Sequence, residues 1–169
     1  MNQHSTQFKG IPDHHYATVR RAVFGAIATS PAVMINPLFD TGVVTGNWTL
    51  MINNLALESR QDISPEVIEK LVYGVWLHMS SYAAGTILLK WLLALIPLTG
   101  LAAAIGVSGL TNAYLTYRFG KFLAYQMDEQ ALSADDAFIG NVGAWLLRPS
   151  WQDFRELLAI IRQPSQTDV

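Results

Sequence analysis

The 169-residue chain has no cysteine, which excludes disulfide bonds, thiol catalysis and thiolate metal ligands. It is also poor in charge, because Asp, Glu, Lys and Arg together make up 14% of it, against about 25% in an average soluble domain. With a net charge of -2 the chain has no basic excess, so we expect no nucleic-acid partner. Its length is typical of one domain.

Two long stretches of the sequence are almost without charge. Asp40 is the only Asp, Glu, Lys or Arg among residues 22–57, and Lys90 is the only one among residues 71–117. The second stretch is longer than the nearly uncharged segments of most soluble domains, because even the buried helices of a small domain usually keep one face exposed to water. Residues 71–117 are therefore the centre of the predicted fold.

Pro97 and Gly100 divide this stretch into two arms. Because proline cannot donate to the helix ladder and glycine accommodates a turn, we predict a long hydrophobic helical hairpin over residues 64–131, with its helices at about 65–130. Each arm is long enough to cross a bilayer, which takes about 20 residues. A buried hairpin in a soluble bundle is the alternative, since the arms contain several hydroxyl groups and the mean hydropathy is only +0.24.

The segments on either side of the hairpin are more polar. Residues 1–11 show no periodicity, which indicates a flexible tail. Residues 12–57 predict an amphipathic helix pair, the first helix of which ends near Pro31, and residues 133–162 predict two C-terminal amphipathic helices. No β-type alternation is present. The sequence thus predicts a single all-α domain over residues 1–169, a helical bundle organised around the hairpin.

The last helix, Trp151 to Arg162, has one apolar face. The residues of that face are Phe154, Leu157, Leu158 and Ile161. Such a face lies in the groove of a partner, on a lipid surface, or against the helix's own bundle, which is the commoner use. We predict this face as the partner-binding surface.

Polar side chains recur every four residues along the first arm. They are His78, Tyr82, Thr86 and Lys90, and Asn112 adds an amide on the second arm. The stripe either lets Lys90 reach the membrane interface or lines a polar path in an oligomer.

Asp40 is a further candidate for a functional polar residue. In the first turn of a helix a carboxylate is favoured by about 0.3 to 1 kcal/mol through the helix dipole, which explains Asp40 without a function. A buried partner for Lys90, or for a basic residue of another protein, is the functional alternative.

Arg118 and Lys121 follow the second arm in a segment rich in Tyr and Phe. Aromatic rings mixed with basic side chains are typical of the headgroup layer of a membrane. Lys70 precedes the hairpin, whereas its turn has no basic residue. The positive-inside bias therefore predicts cytoplasmic termini.

The sequence contains no constellation for catalysis. A GTPase phosphate loop ends in Gly-Lys-Ser or Gly-Lys-Thr, whereas Gly120-Lys121-Phe122 lies in a helical pattern. Asp13-His14-His15, with His4, contains metal-ligand residue types, but neighbouring residues on a helix point in diverging directions. We therefore predict no enzyme, no cofactor and no metal site.

Two motifs resemble a bacterial protein family. The first is Asn36-Pro37-Leu-Phe-Asp40-Thr-Gly with Met51-Ile52-Asn-Asn-Leu55-Ala56, and the second is Leu95-Ile96-Pro97-Leu-Thr-Gly100, followed by a small-residue helix that ends Leu115-Thr-Tyr117-Arg118-Phe-Gly120. Over about residues 20–130 the chain resembles the YcjF-like family, number 697 of the domains of unknown function. The resemblance implies a helical, membrane-associated protein that is often found with small GTPases, as a partner or a fused domain, and has no established enzymatic activity.

The residues and the resemblance together predict a non-enzymatic scaffold or regulator at the bacterial inner (cytoplasmic) membrane. Its expected partners are membrane lipid and another protein, for which the resemblance points to a GTPase, and self-association into a homo-oligomer stays open. One alternative is an oligomeric pore-forming or transport component. The other is a soluble all-α interaction domain.

Overall fold

The computed structural model describes the backbone of residues 10–33, 37–81 and 101–163, and the side chains of residues 10–29, 42–79 and 109–163. These residues form six α-helices and no strand: α1 (Asp13–Val33), α2 (Pro37–Glu58), α3 (Pro65–Ser81), α4 (Leu101–Asp128), α5 (Asp136–Leu146) and α6 (Trp151–Arg162). The predicted all-α class is confirmed. Among the described helices, none is long and apolar enough to cross a membrane.

The helix boundaries follow capping signals in the sequence. α2 and α3 begin at Pro37 and Pro65, at the first helical position, where the missing proline N–H would have no partner in the helix. Ser150 caps α6, since its hydroxyl accepts a hydrogen bond from the backbone N–H of Asp153 at 3.2 Å. α1 is longer than predicted, because Pro31 lies in its last turn, where losing one hydrogen bond does not end the helix.

The amphipathic helix pair, α1 and α2, packs on α4. Of the apolar positions at helical spacing in this pair, Tyr16 and Ile27 are partly buried. The buried ones are Val19, Val23, Ala26, Val44, Trp48, Met51, Ile52 and Leu55. Trp48 is fully buried and donates from Nε1 to Oγ1 of Thr116 on α4 at 3.0 Å. A Cβ built on Gly120 would lie 2.8 Å from Sδ of Met51 and 2.9 Å from Val19, so the absent side chain lets three helices meet at one point.

The predicted hairpin arms correspond to α3 and α4, and the described parts of these helices pack mainly on other helices. α4 makes its most extensive contacts with α1, and α3 makes its most extensive contacts with α5. The predicted turn from Pro97 to Gly100 lies outside the described residues. Within the described part of the chain, the bundle is therefore centred on α4 and α1.

The contact between α3 and α5 requires glycine at two positions. A Cβ on Gly143 would lie 2.4 Å from Cδ2, 3.1 Å from Cγ and 3.3 Å from Cβ of His78. A Cβ on Gly74 would lie 2.8 Å from Cδ1 of Ile139. Rotating the imidazole ring moves Cδ2 away, but Cβ of His78 stays 3.3 Å from the added atom, a separation tighter than ordinary van der Waals contact. His78, the first member of the predicted polar stripe, thus packs against α5 of the same chain.

We expect Gly143→Ala to lower the free energy of unfolding by about 1–3 kcal/mol, the usual cost of overpacking. Gly46→Ala in α2 is the matched control, since no described residue comes within 4 Å of a Cβ at Gly46. Both substitutions gain about 0.5–1 kcal/mol of helix propensity, so the control should be more stable than the wild type. Urea unfolding followed by circular dichroism measures both. Equal stability of the two variants would contradict the close approach of His78 to Gly143.

Candidate functional site

Two buried polar clusters lie on α4. The first, here called the charged joint, consists of Arg118 and Lys121 on α4 with Asp153 and Glu156 on α6. Relative exposure is 2% for Arg118, 1% for Lys121 and 6% for Asp153. Removing an ion from water is costly unless it is paired and hydrogen-bonded, and here two cations meet two carboxylates.

Lys121 connects both carboxylates of the joint. Its Nζ donates to Oδ1 of Asp153 at 2.9 Å and to Oε2 of Glu156 at 2.7 Å. The hydroxyl of Tyr117 donates to the same oxygen of Glu156, and Nε2 of Gln152 donates to the other oxygen at 3.0 Å. The Glu156 carboxylate is therefore held from three sides.

Arg118 connects α4 to two other helices at once. Its Nη1 donates to the backbone carbonyl oxygens of Leu146, at 2.9 Å, and of Arg148. Its Nε lies 2.9 Å from Oδ2 of Asp153 in an ion pair. The guanidinium carbon lies 4.0 Å from the centroid of the Trp145 ring. Since Leu146 is the last residue of α5, the guanidinium neutralises the negative end of that helix.

These contacts overturn the headgroup interpretation of Arg118 and Lys121. Both side chains are buried against acids of the same chain, so they are not the exposed basic residues that the positive-inside argument requires. A signal for the pairing was present in the sequence, because the two bases and the two acids have the same i, i+3 spacing. Residues three apart share a helix face, and two such faces match each other.

The apolar face of α6 lies inside the bundle. Phe154 is 6% and Leu157 0% exposed, while Leu158 and Ile161 are half-buried against the core. The predicted partner-binding face is thus packed on its own chain, as the commoner use of such a face implies. The fully packed face of α6 consists of Asp153, Phe154, Leu157 and Ile160, and the predicted Leu158 and Ile161 lie at its edge.

The remaining predicted polar residues have separate locations. Asp40 lies in the first turn of α2, as the dipole explanation requires, and its side chain is outside the described set. Thr86 and Lys90 also lie outside the described residues. Asn112 is half-buried on α4, and His78 packs on α5.

The charged joint shifts the pKa values of its acidic groups. Burial raises the pKa of Tyr117, and its hydrogen bond to the Glu156 carboxylate raises it further. Burial alone would raise the pKa of Glu156, but hydrogen bonds from Lys121, Tyr117 and Gln152 outweigh it, and the pKa lies below the usual 4.5. Burial also raises the pKa of Tyr114, against the opposing charge of Arg118.

The second cluster, here called the histidine cluster, lies at the C-terminal end of α4. His15 is fully buried, with Nδ1 2.8 Å from Oε2 of Glu58 and Nε2 3.0 Å from Oδ1 of Asp128. Nε2 of the exposed His14 lies 3.0 Å from the same Asp128 oxygen. The two imidazole centroids are 3.9 Å apart. The sequence argument that neighbouring histidines diverge does not hold here, because both rings turn towards one carboxylate.

Two similar helix ends bring the carboxylates of this cluster together. Glu58 is the last residue of α2 and Asp128 the last residue of α4. A left-handed residue follows each, Arg60 at φ 53° and Gln130 at φ 52°. Carboxylates at helix C-termini add to the negative end of the dipole, so a cation between them is favoured. The sequence separations are large, and no local pattern predicted this convergence.

We expect Lys121→Met to lower the free energy of unfolding by about 3–5 kcal/mol, because it leaves buried carboxylates without their shared cation. Lys70→Met is the matched control: the Lys70 side chain is 59% exposed, and its Nζ lies 3.9 Å from Asp136, so the change should stay within about 1 kcal/mol. Urea unfolding measures both variants. Similar losses for the two would contradict the burial of Lys121.

The stability of the joint should fall at both extremes of pH. Because the pKa of Glu156 lies below 4.5 in the folded protein, its stabilisation is present above that pH and is lost as pH falls through the folded value. Because the pKa of Tyr117 lies above 10.0, the unfolded chain ionises first and stability falls as pH rises beyond 10.

Melting temperatures measured across the pH range test the predicted losses of stability at acid and at alkaline pH. Glu156→Gln should flatten the acid limb of the profile, and Tyr117→Phe should flatten the alkaline limb. If each variant only shifts the whole profile downwards, the two side chains do not titrate as their contacts require.

No family model, curated protein or solved structure matches the chain. The resemblance to the YcjF-like family stays a prediction from two motifs, the second of which lies partly outside the described residues.

Proposed function

We propose that the protein is a non-enzymatic, membrane-associated scaffold or regulator that acts by binding. The observation that carries the proposal is an exposed apolar face on α2 and α3. Relative exposure is 66% for Leu50 of α2, and 59% and 71% for Tyr73 and Leu77, which lie one turn apart on α3. A single exposed leucine is ordinary, whereas large apolar side chains grouped on neighbouring helices are typical of an interaction surface.

A groove between α2 and α3 continues this apolar face. Leu50 and Tyr73 both line the groove, which has a volume of about 630 Å³. Ile68 and Val72 of α3 form part of its wall. On the α2 side the groove is lined in part by Gly46, which has no side chain. No described residue lies within 4 Å of a Cβ built at that position.

Membrane lipid is the occupant that we propose for this face. The described part of α3 ends at Ser81, and residues 82–100, which follow it, contain Lys90 as their only Asp, Glu, Lys or Arg. The helix that carries the exposed residues Tyr73 and Leu77 is therefore followed in the sequence by a segment almost without charge. An exposed apolar face next to an uncharged segment is typical of chains that lie against a bilayer. Full burial of a leucine side chain contributes about 1.5–3 kcal/mol, so several exposed side chains support reversible association with lipid.

The engagement of the buried ionisable groups supports binding rather than catalysis. In the described helices Lys121 is paired with Asp153 and Glu156, and Arg118 is paired with Asp153. A general acid or base must instead be within reach of a substrate proton. The protein partner and the location belong to the same proposal. By the family resemblance the partner is a small GTPase and the protein associates with a membrane, for which we propose the bacterial inner membrane.

The pore-forming alternative gains no support from the described residues. It requires the polar stripe of the first arm to line a path between copies of the chain. His78, the first member of the stripe, packs against Gly143 of its own chain.

We expect Leu77→Glu to weaken binding of the full-length protein to phosphatidylethanolamine and phosphatidylglycerol vesicles by about tenfold or more, since it replaces an apolar contact worth over about 1.4 kcal/mol. Leu57→Glu is the matched control, because Leu57 is also exposed, at 74%, but lies at the opposite end of α2 from the α3 C-terminus. Vesicle flotation measures both variants, and circular dichroism checks their folding. Absence of wild-type protein from the floating fraction, or equal flotation of all three proteins, would contradict the proposal.

A further inference from the structure

We propose that the histidine cluster binds a divalent transition-metal ion through His14, His15 and Asp128. The three ligand atoms are Nε2 of each histidine and a carboxylate oxygen of Asp128, and all lie within 4.8 Å of one another. Each Nε2 lies 3.0 Å from Oδ1 of Asp128. The two distances to Oδ1 are thus close to the separation of about 3.3 Å between ligands that lie about 2.0–2.1 Å from a tetrahedral Zn²⁺, and the two histidine nitrogens lie within 4.8 Å of each other.

Glu58 orients His15 for this role. Oε2 of Glu58 lies 2.8 Å from Nδ1 of His15, and its Oε1 accepts a hydrogen bond from Oγ1 of Thr18 at 2.6 Å. Metal-binding histidines usually donate the N–H of the other ring nitrogen to a carboxylate, which fixes the tautomer and the direction of the ring. With Nδ1 donating to Glu58, the lone pair of Nε2 faces Oδ1 of Asp128, at 3.0 Å, and Oγ of Ser59, at 3.1 Å, so an ion bound at Nε2 takes the place of the Ser59 contact.

The charge at the cluster also favours a cation. Glu58 and Asp128 each end a helix, so two carboxylates and two negative dipole ends converge on the histidines. Two imidazoles and one carboxylate are a donor set suited to Zn²⁺ and its first-row neighbours. The side chains of His14 and Asp128 are 54% and 32% exposed, so an ion reaches the cluster from solvent and retains a position for water.

The bound ion would connect the start of α1 to the end of α4, and through Glu58 to the end of α2. Its effect is therefore structural: a ligand that binds only the folded chain raises its stability in proportion to the logarithm of the ligand concentration. This role goes beyond the proposed lipid-binding function and does not depend on it.

A protonated His15 that donates to both Glu58 and Asp128 is the competing account of the same distances. The two accounts differ at His14. Metal binding requires His14 as a ligand, whereas a buried imidazolium between two carboxylates does not involve it. His14→Ala is therefore the decisive variant, and the exposure of His14 lets the protein fold without its ring.

Calorimetric titration of the untagged, full-length protein with Zn²⁺ tests the proposal. We expect one Zn²⁺ per chain and a rise in melting temperature with Zn²⁺ concentration. His14→Ala and Asp128→Asn should each bind at least about tenfold more weakly, and Glu58→Gln about 10- to 100-fold more weakly. Asp13→Asn is the matched control, since Asp13 is an exposed carboxylate beside His14 but outside the cluster, and its affinity should equal that of the wild type.

Two results would overturn the metal site. One is a wild-type protein that neither binds Zn²⁺ nor melts at a higher temperature in its presence. The other is undiminished binding by folded His14→Ala, which would place the ion elsewhere on the chain. Loss of both binding and thermal stabilisation in His14→Ala, with Asp13→Asn unchanged, would establish the site.

Discussion

Two buried cations on α4 must be neutralised inside the protein, and this requirement fixes α5 and α6 in place. Lys121 is paired with Asp153 and Glu156, while Arg118 is paired with Asp153 and with the carbonyl groups at the end of α5. Displacing α6 would leave the buried cations without their carboxylates, at a cost of about 3–5 kcal/mol. Displacing α5 would leave Nη1 of Arg118 without the carbonyl oxygens to which it donates. The C-terminal helices are therefore integral parts of the bundle, although their sequence alone is compatible with an exposed binding surface.

The C-terminal end of α4 is held by the histidine cluster. There His15 of α1 contacts Glu58 of α2 and Asp128 of α4, so three helices meet at one fully buried imidazole. The contact of Trp48 with Thr116 and the close approach at Gly120 lie on α4 at the level of the joint. The exposed apolar face of α2 and α3 belongs to neither cluster, and its large apolar side chains are the reason why the proposed function is placed there.

Local signals in the sequence predicted the fold class and much of the helix layout. Pro65 and Ser150 mark helix starts because capping depends on a few neighbouring residues, and the apolar positions of α2 follow from its helical period. The two polar clusters were not predicted, because their partners are far apart: Lys121 and Asp153 are separated by 32 residues, and His15 and Asp128 by 113. A basic segment rich in aromatic residues has the same composition in a headgroup layer and in a buried ion pair, so composition alone does not distinguish the two environments.

The charged joint depends on the burial of Lys121, and the rate at which an acetylating reagent modifies the Lys121 amine measures that burial. Lys121 is 1% exposed, whereas the side chain of Lys70 is 59% exposed and provides an internal reference. At low reagent concentration, mass spectrometry of the native protein should find Lys70 acetylated and Lys121 unmodified, with Lys121 becoming reactive only in denaturant. Acetylation of both lysines at similar rates in the native protein would contradict the buried joint.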